Sequence, residues 1–182
     1  MFNLPPGGIG TATNGTVSIR AKAVAASGEE NTKELGVYQI LRQHTGGNRY
    51  GGRDETEGGD DWVKPSVDDL IGGYNLTWGD FSNMNGGRFA PHASHRTGND
   101  IDGWFNGYNN RDAATAASII GHLNAANGGR ITAVFVTFTR QQGDAFWGAI
   151  ENVVLGDGRR ARDVILPVGG HTRHFHWRVG DN

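Results

Sequence analysis

The sequence predicts an α+β fold in one domain: an antiparallel sheet core carrying a zinc site, flanked by helices and long Gly-rich loops. Three observations point there. Period-2 and continuously β-branched segments alternate with one clear 3.6-period helix. Glycine supplies 30 of the 182 residues, which favours turns and modest helix content. Five of the seven histidines fall in two short clusters that include nearby carboxylates.

Residues 1–13 are Pro/Gly-rich and read as an extended arm. Residues 14–26 alternate Val17, Ile19, Ala21 and Ala23, the pattern of a strand. Residues 32–43 place Leu35, Val37, Tyr38 and Leu41 at mixed helical spacing and are expected to form a short helix. Residues 45–61 are polar and Gly-rich, which reads as a mobile loop. Residues 111–126 form the clearest helix, with Ala116, Ile119, Ile120 and Leu123 as its stripe, Asn110 as its cap and Gly128-Gly129 as its stop. The run 131–138 predicts a strand buried on both faces. Residues 144–154 predict a second helix, and 172–179 the last strand. These divide into an N-terminal arm with an accessory strand and helix, 1–60, packed on a core, 61–182.

Composition narrows the function. Net charge is −2 and no basic patch stands out, so nucleic acid is not an expected partner. No apolar run of about 18 residues is present, so membrane insertion is not expected. The opening MFNLPPGGIG lacks the basic and apolar regions of a signal peptide. Cysteine is absent, which excludes disulfides and limits zinc ligands to His, Asp and Glu.

The first cluster runs from Pro91 through His92 and His95 to Asp100 and Asp102. Gly98 permits a turn, so His95 is expected from a loop and Asp102 from the strand it feeds. Asp100 shares parity with Asp102 and competes for the ligand role. The second cluster is His171-Thr172-Arg173-His174-Phe175-His176. At i and i+2 on a strand, His174 and His176 share a face, while Phe175 and Trp177 enter the opposite layer. Either cluster alone fits a turn or a solvated strand. Together they supply two imidazoles, a carboxylate and a spare base, the set of a catalytic zinc site with an open position.

The segment Gly79-Asp80-Phe81-Ser82, Gly86-Gly87, Pro91-His92-Ala93-Ser94-His95-Arg96-Thr97-Gly98 and Asp100-Ile101-Asp102-Gly103-Trp104, followed by His171-x-x-His174-x-His176, resembles the penicillin-insensitive murein endopeptidases. That family belongs to the LAS zinc peptidases, and both group motifs, His-x6-Asp and His-x-His, are present. The likeness spans roughly residues 76–179. After Asp102 the chain departs from the family's apolar run with Gly103-Trp104-Phe105-Asn106-Gly107-Tyr108. The resemblance implies zinc (Zn2+) held by His95, Asp102 and His176. It implies catalytic roles for His174 and His171 and a metal-proximal place for His92.

The resemblance also implies a zinc-dependent D,D-endopeptidase that cleaves cross-links between peptidoglycan stem peptides. Its site of action would be periplasmic or extracellular. A phage lysin or a secreted antibacterial effector fits this, the latter with an immunity protein or a delivery partner. The alternatives are a D,D-carboxypeptidase or dipeptidase on the same site, and a non-catalytic zinc-stabilised cell-wall-binding module. Zinc would supply Lewis acidity and a nearby imidazole would move the proton, with His174 the first choice of base and His171 the alternative or an oxyanion donor. No His-Glu-x-x-His string supplies a glutamate base. Trp104 and Tyr108 are candidates for a groove floor, against a simple packing role. Arg88, Arg96 and Arg173 lie near the motifs and are candidates for a substrate carboxylate, against plain surface positions. His44 and His122 are isolated and expected to be structural.

Overall fold

The computed structural model describes residues 16–39, 41–49, 61–83, 86–90, 92–125, 127–137 and 144–181. The expected arm, 1–13, and Phe138 lie outside these residues.

The described residues begin with a hairpin of β1 (Thr16–Val24) and β2 (Glu30–Gln39), which pair antiparallel as a sheet of their own. The β1 expectation holds, but the short helix at 32–43 is replaced by β2 and by β3 (Arg42–Gln43). Leu35 and Val37 are two apart, which suits strand alternation, and β1 supplies a partner that no local spacing announces. The Gly-rich loop also needs correction. Asn48–Arg49 forms a short strand, β4, and Asp61 is buried, while residues 50–60 lie outside the described set.

β3 pairs with β5 (Trp62–Val63), which leads into α1 (Pro65–Ile71). The main sheet has the order β4-β6-β7-β10-β8-β9. Here β6 is Thr77–Trp78, β7 Asp100–Trp104, β8 Ile131–Thr137, β9 Ile165–Pro167 and β10 Phe175–Val179. Its four inner strands pair antiparallel, but β4–β6 and β8–β9 are parallel. The sheet is therefore mixed rather than antiparallel. A parallel neighbour needs a long crossover, and the β8-to-β9 connection carries α3 (Ala145–Ile150) and α4 (Ala161–Val164).

The expected central helix is α2 (Ala113–Asn124). Asp112, not Asn110, caps it by accepting from the Thr115 amide at 2.7 Å. The helix stops before Gly128, whose own role is steric: a Cβ there would lie 2.0 Å from the Leu123 carbonyl oxygen. The second helix, α3, is shorter than 144–154 and is capped by Asp144, which accepts from the Phe146 amide at 2.9 Å.

Phe175 and Trp177 of β10 are fully buried, and the His122 ring of α2 lies 5.8 Å from Trp177 and 6.5 Å from Phe175. This face of the sheet joins Ile119, Leu123, Val134, Phe146 and Ile150 in one core. The opposite face carries His176 and Asp102. β8 was expected to be buried on both sides, but Thr132 is exposed and Phe135 is half-buried, its ring stacked 5.0 Å from His176. No helix among the described residues is long and apolar enough to cross a membrane.

Candidate metal centre

β7 and β10 set the geometry. His176 pairs directly with Asp102, and Arg178 with Asp100. Opposed residues in an antiparallel pair project on the same face, so two carboxylates, an imidazole and a guanidinium line one side of two central strands. Gly103 makes room behind them: a Cβ there would stand 2.7 Å from the Phe175 ring.

His95 arrives from the loop ahead of β7. It is fully buried and has φ 59°, the only non-glycine residue in the left-handed region among the described residues. That conformation costs about 1–2 kcal/mol. Complete burial of Phe81, whose carbonyl holds the imidazole, contributes about 1.5–3 kcal/mol, enough to offset it. Gly98 (φ 73°) turns the chain back toward β7, where a Cβ would meet Leu41 at 2.6 Å and the Lys64 amide at 2.8 Å.

Three donor atoms converge. His95 Nε2 lies 3.1 Å from His176 Nδ1 and 3.4 Å from Asp102 Oδ1, and His176 Nδ1 lies 3.1 Å from Asp102 Oδ1. The outer nitrogens fix which atoms carry protons. His95 Nδ1 is 2.6 Å from the Phe81 carbonyl, which only accepts, so this nitrogen donates and Nε2 keeps its lone pair. His176 Nε2 donates to Asp100 Oδ1 at 2.9 Å, which leaves Nδ1 bare in the neutral ring. Asp102 Oδ1 is buried and receives no hydrogen bond. Two nitrogen lone pairs and an anionic oxygen thus face one another, an arrangement that requires a cation or a shared proton.

The spacing fits a metal ion. Tetrahedral coordination with ligand bonds of about 2.0–2.2 Å puts donor atoms about 3.3–3.6 Å apart, close to the triangle observed. The supporting shell is equally suited, with a carbonyl behind one imidazole and a carboxylate behind the other. Without a metal, a proton competes for the same lone pair. Burial opposes charge on His176, but the carboxylates of Asp100 and Asp102 outweigh it and raise its pKa. Burial also pushes the two carboxyls up, yet their partners prevail. His176 and Arg178 bring Asp100 down to about 2. His176 and His95 hold Asp102 well below the usual carboxylate range.

Asp102 belongs to two further groups able to hold a metal, one with His92 and His95, the other with His171 and His174. His92 is engaged elsewhere: its Nε2 is 2.8 Å from Asp80 Oδ2 and its ring stacks on Phe89. The hydrogen bond to Asp80 raises its pKa against the opposing effect of burial.

His174 and His171 stand beside the triangle. His174 lies just before β10 rather than within it, yet it reaches the same side, with Nε2 3.6 Å from Asp102 Oδ2. Its main chain is fixed by the Tyr108 hydroxyl, which donates to the His174 carbonyl at 2.8 Å, and its ring lies 5.2 Å from Trp104. His171 donates from Nδ1 to the Val168 carbonyl at 3.0 Å, which leaves Nε2 as a base. Burial lowers the pKa of both rings, which keeps them neutral and able to take a proton near pH 7. A cleft of about 600 Å³, lined by His171, His174, His176, Asp102 and Phe135, opens over them.

The structure therefore brings together His92, His95, Asp100, Asp102, His171, His174 and His176, with Trp104 at the edge. Tyr108 acts through main-chain positioning and packing against Phe105. Arg88 is exposed and its carbonyl accepts from Asn83; Arg96 and Arg173 are exposed too. Sequence reasoning assigned no role to Asp80, to the Phe81 carbonyl, to Phe135 or to Arg178. Only Arg178 carried a signal, its parity with His176 in the last strand. No protein family matches the chain, and no curated protein matches it.

Proposed function

We propose that the chain is a zinc-dependent peptidoglycan hydrolase, a D,D-endopeptidase that opens cross-links between stem peptides. The observation that carries the reading is the triangle of His95 Nε2, Asp102 Oδ1 and His176 Nδ1, with two neutral imidazoles beside it in an open cleft. These three residues would hold the ion. Two imidazoles and one carboxylate leave it a net positive charge and an open position, the mark of a catalytic zinc site rather than a structural one. When bound, zinc supplies Lewis acidity to an attacking water and to the scissile carbonyl.

The chain's own groups supply the rest. His174 takes a proton from the water and returns it to the leaving amine, because its Nε2 faces Asp102 and its ring stays neutral. His171 Nε2 carries the lone pair of the neutral ring and is placed to replace His174 as base; once protonated, it would donate to the carbonyl oxygen as charge develops. Trp104 lies against His174, with ring centroids 5.2 Å apart. The peptidoglycan assignment rests on the likeness of residues 76–179 to murein endopeptidases. Such a substrate places the site of action in the periplasm or outside the cell, and an immunity protein or delivery partner fits an effector.

Mass spectrometry of purified peptidoglycan after incubation with the zinc-loaded protein tests this. Cross-linked dimers should become monomers, with or without penicillin, and the reaction should stop with a chelator. Removal of only a terminal D-Ala would make the enzyme a carboxypeptidase. Tight binding to the wall without any cleavage would make it a binding module.

A further inference from the structure

The cleft over the metal centre continues into a second cavity of about 470 Å³. Ala93, Ser94 and Arg178 line both. Arg178 thus stands at the junction, with its side chain 45% exposed. Its Nε donates to Asp100 Oδ1 at 2.8 Å, and its guanidinium carbon sits 5.2 Å above the Phe135 ring. Two independent contacts therefore fix the guanidinium plane. Neither terminal nitrogen makes a hydrogen bond to a described residue, so the fork of N–H groups at the end of the side chain faces the cavities.

We propose that Arg178 is an anion-binding subsite that receives a free carboxylate of the substrate next to the scissile bond. The inference rests on the hydrolase reading above. A guanidinium with its Nε already committed presents two parallel donors, a match for the two oxygens of a carboxylate. Prior fixation by Asp100 and Phe135 lowers the ordering cost of binding. The charge balance agrees. The second cavity is lined by Arg96 and Arg178 against a single carboxylate, Asp100, and that carboxylate is already shared between Arg178 and His176. Stem peptides carry carboxylates both on side chains and at chain ends, and either chemistry would fill this fork. Asp100 also links the subsite to the metal centre, because one oxygen accepts from both Arg178 Nε and the ligand His176.

The test compares cross-linked peptide dimers in four forms, with the side-chain carboxylate free or amidated and the terminal carboxylate free or amidated. The zinc-loaded wild-type chain should lose about 10–100-fold in kcat/KM when one of these is amidated. The sensitive position identifies which carboxylate is bound. Arg178→Gln should cleave the free-acid dimer at the reduced level and no longer distinguish acid from amide, with its zinc content intact. A bracing role for Arg178 would lower activity on every dimer alike and leave the discrimination in place. The inference is overturned if wild type treats all four dimers equally, a comparison that needs no variant, or if Arg178→Gln keeps the preference. Should no dimer be cleaved, the hydrolase reading fails by itself. Calorimetric titration with the same four peptides then decides the subsite: tighter binding of an acid than of its amide, lost in Arg178→Gln, upholds it, and equal binding overturns it.

Discussion

His176 and Asp102 stand opposite each other in the central strand pair, and the Nδ1 of one lies 3.1 Å from Oδ1 of the other. Strand register alone thus delivers two of the three donor atoms, from a rigid part of the fold. The third donor, His95, comes from a strained loop anchored by the Phe81 carbonyl. Rigid strands fix the spacing, and the loop closes the triangle.

Metal binding should be visible as stability. At a free zinc concentration 100 times Kd, binding to the folded state contributes about 2.7 kcal/mol. For a chain of 182 residues this raises Tm by about 5–10 °C. Thermal unfolding with zinc and with a chelator, alongside metal analysis, checks it. His95→Ala, Asp102→Ala and His176→Ala should each abolish the zinc-dependent shift. A wild-type Tm indifferent to zinc would sink the assignment.

Asp100 touches no donor atom of the triangle but holds His176 in the tautomer that bares Nδ1. Asp100→Asn should weaken zinc affinity about 10–100-fold, since partners behind a ligand typically contribute that much. Competition with a chromogenic chelator measures it. Complete loss of binding would instead make Asp100 a ligand, the role for which its parity with Asp102 made it a rival in the sequence.

Legibility of the site depended on the range of the interactions. His-x-His and the two aspartates follow a period of two, so their shared face could be read from spacing. The left-handed conformation of His95 and the Asp80–His92 pair depend on folding distant segments together, and no local pattern encodes them. The same reason explains the missed strand β2: its helix-like spacing was overruled by pairing with β1, a contact between segments rather than within one. Helix α2 was visible because its stripe is local, although its cap moved from Asn110 to Asp112. Phe135 was hidden inside an apolar run, where position in the sheet, not residue type, decides whether a ring faces the core or the site.

Removal of the His174 imidazole should leave zinc bound and lower kcat by about 10²–10⁴-fold, the usual scale for a general base. His171→Ala serves as the comparison. A larger loss there than in His174→Ala would transfer the base role to His171. Near wild-type rates in both variants would refute proton transfer by either ring.

His122 provides a pH test away from the metal centre. It sits on α2 among Tyr74, Phe105, Phe175 and Trp177, and burial lowers its pKa. The folded chain therefore holds this ring neutral more firmly than the unfolded chain does. As pH falls below the ordinary histidine value of about 6.5, the unfolded state takes up the proton first and stability drops. The loss is complete only below the depressed folded pKa. His122→Phe keeps an aromatic ring in the cage and removes the proton site. The difference in urea-unfolding free energy, variant minus wild type, should grow from pH 7.5 to pH 5.5 in favour of the variant. The metal-centre histidines titrate in both proteins and cancel in that difference. A constant difference across the range would show that His122 does not contribute to the acid sensitivity of the fold.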